Sequence, residues 1–212
     1  MPVFSALIWA ACCAGAQAAV IQHEIRPHRE LSGRWQWSLL AAAGAVGAVG
    51  GWFAALRTAA ALDQLRLLLV MAALCAAAGV DLTRRRIPNL LSVLLLAGFA
   101  VCTALDFLLR RERAAGLLLA GVLGGVGLLA VLGLCRLISR GGIGMGDIKL
   151  FSALSLLLGL YGGMCTLILA QLAALVCAVV LLLARKATLR DSIPFAPFFA
   201  VGFLLCLILG TY

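Results

Sequence analysis

Long apolar runs separated by short polar stretches recur along the whole chain. An α-helix needs about 20 mostly apolar residues to cross the hydrocarbon core of a bilayer. Eight segments approach or reach that length, with boundaries defined to within about 2–4 residues. They cover residues 3–20, 37–56, 61–80, 88–108, 115–135, 147–161, 164–184 and 194–211. The pattern therefore predicts an all-α, polytopic integral membrane protein with about eight transmembrane helices.

The composition supports a membrane protein and changes how the net charge is interpreted. Hydrophobic residues make up 65% of the chain and charged residues 12%, which excludes an ordinary soluble domain. A net charge of +9 in a soluble protein would indicate nucleic acid as a partner. Here the arginines cluster between apolar segments, so we expect contact with the lipid bilayer and predict no nucleic-acid binding.

The basic residues also predict an orientation in the membrane. Twelve of the 17 lie in or beside every second connection, starting with the one between the first two segments. These twelve are Arg26, Arg29, Arg34, Arg84, Arg85, Arg86, Arg136, Arg140, Lys149, Arg185, Lys186 and Arg190. By the positive-inside rule these connections are cytoplasmic and both termini face outward.

The first apolar segment ends in a sequence that resembles a signal-peptidase site, at residues 14–18. A secretory signal also has a basic region before its apolar stretch. No Lys or Arg precedes this segment, so we expect it to remain as an uncleaved helix.

The eight cysteines lie within or beside apolar segments and never form a C-x-x-C pair. This distribution is typical of small apolar side chains and not of a disulfide framework or a zinc site. We predict no metal and no cofactor.

Residues 147–184 contain 38 positions, with no charge beyond Lys149. One helix of that length would measure about 57 Å, roughly twice the hydrocarbon thickness. The chain must therefore turn back, and residues 159–163 are the natural place. The helix that begins near Asp147 is then only about 13–15 residues long. This length predicts a recessed, water-accessible pocket that holds a carboxylate.

Two aspartates, Asp81 and Asp147, lie at predicted cytoplasmic helix ends. An ionisable group beside a membrane segment marks a functional site by default. Two neighbouring carboxyls share a proton, so one can activate water while the other protonates a peptide carbonyl or leaving amine. Each residue also has a structural alternative. Asp81 could end a solvated helix with an ion pair to residues 84–86, and Asp147 could be a helix N-cap.

Glycines crowd the approach to Asp147 at positions 141, 142, 144 and 146. We expect Gly144 and Gly146 to let the loop descend into the membrane and let a substrate backbone approach. A positive φ at either position would make alanine strained there. The glycines at 121, 124, 125 and 127 are instead interpreted as helix-packing positions.

Two short elements occur in order along the chain. They are Asp81-x5-Ile87-Pro88-Asn89 and Gly144-x-Gly146-Asp147-x-Lys149. Taken alone, Pro88 suits a first helical turn, Asn89 an interfacial position and Lys149 a snorkelling side chain. Together with residues 193–198, the elements resemble the prepilin peptidase, or type IV leader peptidase, family. The resemblance covers about residues 61–212.

This resemblance implies a six-helix aspartic protease core at residues 59–212, with Asp81 and Asp147 as the catalytic pair. Gly144, Gly146, Lys149, Pro88 and Asn89 would be supporting motif residues. It implies that the enzyme cleaves the short basic leader of pilin or pseudopilin precursors after a glycine. The reaction would take place on the cytoplasmic side of the bacterial inner membrane, without a metal.

The chain departs from the bifunctional members of that family. Those members carry a cytoplasmic domain after the first helix, often with paired C-x-x-C, and also N-methylate the new amino terminus. Here the corresponding loop is only about residues 23–37 and has no cysteine, so we expect no methylation. The shorter Flp/Tad-type members are more similar in this respect. Residues 1–58, which form two predicted helices, have no assigned function. The presenilin-type proteases share the G-x-G-D motif, but their tyrosine–aspartate motif is absent here, because Val80 precedes Asp81.

Two other classes of function remain open from the residues alone. A proton- or cation-coupled transporter could use the same two aspartates, although no convincing internal repeat is present. A non-catalytic subunit of a secretion assembly is the third possibility.

Overall fold

The computed structural model describes residues 2–22, 33–58, 60–140, 142–185 and 194–212, and no strand occurs in these ranges. Seven helices are present there: α1 (Pro2–Val20), α2 (Gly33–Arg57), α3 (Ala61–Arg84), α4 (Asn89–Leu109), α5 (Arg111–Ile138), α6 (Met145–Leu183) and α7 (Ala196–Leu209). The first six are long and apolar enough to cross a membrane, and α7 is a shorter apolar helix. The prediction of an all-α polytopic membrane protein is confirmed.

Helix α6 is broken at Gly159, which has φ 72° and ψ 177°. Residues eight apart in a straight helix are about 12 Å apart. In this structure a Cβ at Gly163 would lie only 2.6 Å from Oγ of Ser155. Leu167 and Gln171, on the second arm, share a cavity with Asp147 at the start of the first. The two arms therefore run antiparallel, and α6 accounts for two of the eight predicted segments.

Several helices extend beyond their predicted ends. Helix α2 begins at Gly33 and not at 37, and α5 covers Arg111–Ile138 where 115–135 was predicted. Arginine side chains at a helix end can reach polar surroundings while their backbone stays helical, so an apolar window underestimates helix length. The predicted connection at 23–37 lies outside the described residues from 23 to 32.

Helix α5 packs closely against the first arm of α6 through glycines. A Cβ at Gly124 would lie 2.6 Å from the carbonyl carbon of Gly159, and one at Gly125 would lie 2.6 Å from Cγ of Leu156. Gly121 likewise faces the carbonyl oxygen of Leu156. Small residues allow such close approach between membrane helices. The interpretation of these glycines as packing positions agrees with the structure.

The last turn of α3 and the beginnings of α4, α6 and α7 lie at one end of the bundle. We call it the aspartate end, because Asp81 and Asp147 lie there.

Ion pairs between α3 and α4 occupy the opposite end. Nη1 of Arg110 lies 2.9 Å from Oδ1 of Asp63, and Arg66 pairs with the fully buried Asp106. Removing one member of a buried pair leaves an uncompensated charge, so this cluster fixes α3 relative to α4. All eight cysteines are free.

Candidate active site

Asp81 lies in the last turn of α3 and is 7% exposed. The helix ends immediately afterwards, where Arg85 takes a left-handed conformation and donates its backbone N–H to the carbonyl of Asp81 over 2.9 Å. The carboxyl is held from another helix, because the backbone N–H of Ala196 donates a 2.9 Å hydrogen bond to Oδ2 of Asp81. This burial contradicts the alternative of a solvated helix end.

Asp147 occupies the third position of α6, where a carboxylate interacts favourably with the helix dipole. The N-cap residue is Gly144, so the alternative that Asp147 itself is the N-cap is wrong. The side chain is half-buried and folds back over Gly144. It therefore faces the interior of the bundle at the aspartate end.

The two aspartates lie close enough for the charge of Asp81 to act on Asp147. Asp147 borders a cavity of about 240 Å³ at this end of the bundle. The other lining residues come from the loop before α6, from α5, from the second arm of α6 and from α7: Leu132, Gly142, Ile143, Gly144, Leu167, Gln171, Phe195 and Phe199. The cavity resembles the recessed pocket that the short helix predicted.

The two motif glycines have ordinary backbone conformations. Gly144 has φ −64° and ψ 136°, and Gly146 lies inside the helix, so a positive φ at either position is wrong. These glycines matter instead because neighbouring atoms leave little space for a side chain. A Cβ at Gly144 would lie 2.8 Å from Oδ2 of Asp147, and one at Gly146 would lie 3.2 Å from Cβ of Ile87. Gly144 leaves room for the carboxylate, and Gly146 lets α6 approach the segment before α4.

The remaining motif residues lie beside the cavity and do not line it. Pro88 is the N-cap residue of α4, one position before the first turn. Nζ of Lys149 lies 3.5 Å from Oδ1 of Asn89, which joins the beginnings of α4 and α6. The structure thus brings Lys149 and Asn89 together at the exposed edge of the site. No group of three or more His, Cys, Asp and Glu side chains converges in the described part of the chain.

A model of the type IV leader peptidase family matches residues 68–179. The match covers more than half of the chain and includes both aspartates. The chain belongs to the type IV leader peptidase family. It is accordingly a membrane protease that hydrolyses peptide bonds. No curated protein and no solved structure matches the chain.

Several residues of this leader peptidase site were not predicted from the sequence. Arg136 donates a hydrogen bond from its guanidinium to the carbonyl of Ile143 and so fastens the loop over the cavity. Gln171 lines the cavity opposite Asp147. For Arg136, the only sequence signal was its position before a glycine-rich loop. For Gln171, the signal was a single amide side chain in the long apolar run from 164 to 184.

An aromatic cluster forms the wall of the cavity on the α7 side. The rings of Phe195 and Phe199 meet edge to face with centroids 4.8 Å apart. Phe199 also packs on Phe151 of α6 at 4.5 Å. These contacts fix the start of α7, and with it the Ala196 N–H, against the helix that carries Asp147.

Proposed function

We propose that this leader peptidase is an aspartic endopeptidase with Asp81 and Asp147 as its catalytic pair. One observation carries the proposal: two carboxyls from separate helices lie within electrostatic reach of each other, and one of them, Asp147, borders a cavity. Both carboxyls are at least partly buried. Two neighbouring carboxyls that share a proton are the arrangement with which aspartic proteases hydrolyse peptide bonds without a metal.

In the proposed reaction, a water molecule lies between the two carboxyls and a peptide carbonyl. The ionised carboxylate takes a proton from the water while the water oxygen bonds to the carbonyl carbon. The protonated carboxyl donates its proton to the carbonyl oxygen, giving a tetrahedral diol. The carboxyl that took the proton from water then donates it to the amine nitrogen, the other carboxylate takes a proton from a diol hydroxyl, and the C–N bond breaks to give an amine and a carboxylic acid. The shared proton belongs to the pair, so neither role is tied to one residue before substrate binds.

The proposed substrates are type IV pilin or pseudopilin precursors, with cleavage of their short basic leader. The cavity lies at the same end of the bundle as the connection that carries Arg84, Arg85 and Arg86. The positive-inside rule assigns this end to the cytoplasm. The enzyme would thus act at the cytoplasmic face of the bacterial inner membrane.

We further propose that the enzyme does not methylate its product and works in the manner of the Flp/Tad-type members. The connection between α1 and α2 is short and has no cysteine. That length leaves no room for the additional domain of the bifunctional members. Membership in a peptidase family favours hydrolysis over the transporter and assembly-subunit alternatives.

The direct test is co-expression of the full chain with a panel of pilin-like precursors, including Flp-type ones. Loss of the leader is scored on a gel, and the mass of the mature amino terminus gives both the cleavage site and any methyl group. The Asp147→Asn variant is the matched control. Intact precursors throughout, under conditions where another leader peptidase cleaves them, would refute the proposed function.

A further inference from the structure

A buried amide in the first helix has no role in the site described so far. Gln17 of α1 is 1% exposed, and its Nε2 has no hydrogen-bond partner in the described part of the chain. An unpaired donor within a membrane helix is destabilising. The side chain therefore does not contribute through a hydrogen bond, and its contribution must come from what it packs against.

The amide of Gln17 fills a gap in α3 that exists because residue 79 is glycine. A Cβ at Gly79 would overlap Nε2 of Gln17 and would lie 2.6 Å from its Cδ and 2.7 Å from its Oε1. Real Cβ atoms do not approach other atoms so closely, so a side chain at 79 requires the buried Gln17 amide, or the helix that carries it, to move. Gln17 and Gly79 thus pack directly on each other where α1 and α3 meet.

The contact lies directly behind the proposed catalytic pair. Gly79 precedes Asp81 by two residues in the same turn of α3. Gln17 and Gly79 also line a cavity of about 200 Å³ together with Pro197. Pro197 follows Ala196, whose N–H holds the carboxyl of Asp81. A shift of α1 would therefore displace both partners of that hydrogen bond, the carboxyl of Asp81 and the N–H of Ala196.

Helix α1 packs closely against both α2 and α3. Its Trp9 is 2% exposed and packs on α2, where a Cβ at Gly51 would lie 2.7 Å from Cβ of Trp9. One turn before Gln17, the thiol of Cys13 contacts the thiol of Cys75, which lies one turn before Gly79. Two successive turns of α1 and α3 are thus in register, and the helices run parallel.

We propose that Gln17 is a positioning residue that, through Gly79, sets the place of Asp81 for peptide hydrolysis. The inference rests on the proposed catalytic role of Asp81. It gives the N-terminal helices, which lie outside the residues matched by the family model, a part in the reaction. It also attributes the effect of Gln17 to its shape and not to its polarity.

The packing can be tested without any protease assay. A full-length variant retains Cys13 and Cys75, with the other six cysteines replaced by alanine: Cys12, Cys102, Cys135, Cys165, Cys177 and Cys206. Copper phenanthroline with oxygen oxidises the pair to a disulfide in isolated membranes, and the remaining thiols are counted by mass after maleimide labelling. We expect efficient cross-linking, a large loss in Gly79→Ala, and recovery in Gln17→Ala/Gly79→Ala. Gly15→Ala is the matched control, since a Cβ there meets nothing within 4 Å.

The same variants, with their native cysteines, are then compared on a precursor that the unmodified enzyme cleaves. Gly79→Ala should lower kcat tenfold or more, since misplacing a catalytic group by about 1 Å costs about 100-fold. The double variant should recover most of the rate. Gln17→Ala should lower kcat with KM unchanged, because Gln17 does not contact substrate, and Gln17→Met, which keeps the length of the side chain, should retain activity.

The outcomes separate this inference from the proposed function. Normal cross-linking and cleavage in Gly79→Ala would overturn it, as would lost cross-linking with unchanged cleavage. If adding Gln17→Ala to Gly79→Ala does not restore cleavage, the inference is overturned. It is also overturned if the Gln17→Met variant is as impaired as Gln17→Ala. If Gly79→Ala fails to accumulate, the comparison of Gln17→Ala with Gln17→Met decides. Failure of the unmodified chain to cleave any precursor would refute the proposed function while the cross-linking result still stands.

Discussion

The backbone N–H of Ala196 donates a 2.9 Å hydrogen bond to Oδ2 of Asp81, although 115 positions separate the two residues in the chain. The preceding residue, Phe195, lines the cavity that Asp147 borders. One short segment therefore contacts one aspartate and shapes the surroundings of the other. Helix α7 lies outside the residues that the family model matches, yet its first turn is part of the site.

If the pair is catalytic, Asp81→Asn and Asp147→Asn should each abolish leader cleavage while membrane insertion stays normal. Each change removes half of a unit that transfers protons jointly, so the double variant should be no worse than either single variant. Cleavage is followed by gel mobility of the precursor, and insertion by the yield of protein in the membrane fraction. Substantial cleavage by either single variant would exclude that residue from the pair.

The same pair predicts a bell-shaped dependence of kcat/KM on pH. At low pH both carboxyls are protonated and no base remains to activate water. At high pH both are ionised and no acid remains for the carbonyl or the amine. The two limbs report the apparent pKa values of the coupled pair. A rate that rises to a plateau with pH, with no descending limb, would show that no acid in the pair is needed.

The sequence was sufficient to predict the helices and the reversal within α6, because the bilayer imposes strong constraints. Apolar runs must be helical to satisfy their backbone groups, and a run that is twice the membrane thickness must turn. The turn was placed at residues 159–163, and the structure localises it to Gly159. The fold also brings both aspartates, which were selected from the sequence, to one end of the bundle.

The sequence was insufficient wherever the site depends on contacts between distant helices. Nothing near Asp81 indicates that the N–H of Ala196 will bind it, and nothing near Gly79 indicates that Gln17 packs there. Gly144 was interpreted through backbone freedom, whereas the structure shows that the carboxylate of Asp147 needs its missing side chain. Such juxtapositions are set by helix packing, for which periodicity and composition carry little information.

Gly144→Ala is expected to lower cleavage by about 100-fold with little loss of protein. Its Cβ would lie 2.8 Å from Oδ2 of Asp147, so the carboxylate must rotate away from its place. Gly146→Ala should be milder, since its Cβ would lie 3.2 Å from Cβ of Ile87 and that side chain can shift. Gly133→Ala, where a Cβ meets nothing within 4 Å, is the matched control. Equal rates in Gly144→Ala and Gly133→Ala would contradict this account.

The orientation can be mapped with single cysteines in a variant that has no others. Arg85, Arg140 and Arg111 are exposed, so cysteine at these positions should be accessible to a membrane-impermeant maleimide. We expect Arg85→Cys and Arg140→Cys to react only from the cytoplasmic side and Arg111→Cys only from the outside. Labelling of Arg111→Cys from the cytoplasm would overturn the proposed orientation and place the site on the other face.

Gly159→Ala tests the reversal that places the two arms of α6 side by side. The φ of 72° and ψ of 177° belong to a region that is open essentially to glycine alone. An added Cβ would lie 3.7 Å from the nearest atoms, which belong to Ala120, so crowding by neighbours is not the difficulty. The cost is backbone strain, of order 1–3 kcal/mol.

That strain should lower the thermal stability of the purified protein. Thermal unfolding can be followed with a thiol-reactive dye, because buried free cysteines such as Cys13, Cys75 and Cys206 become accessible as the protein unfolds. Cleavage should fall as well, since Asp147 and Gln171 border one cavity from opposite arms and a changed angle at Gly159 separates them. Gly133→Ala, in open space within α5, should leave both the melting temperature and the rate unchanged. A Gly159→Ala variant that melts and cleaves like the parent would show that the chain can reverse here without a glycine conformation, and that the arms are held together by packing alone.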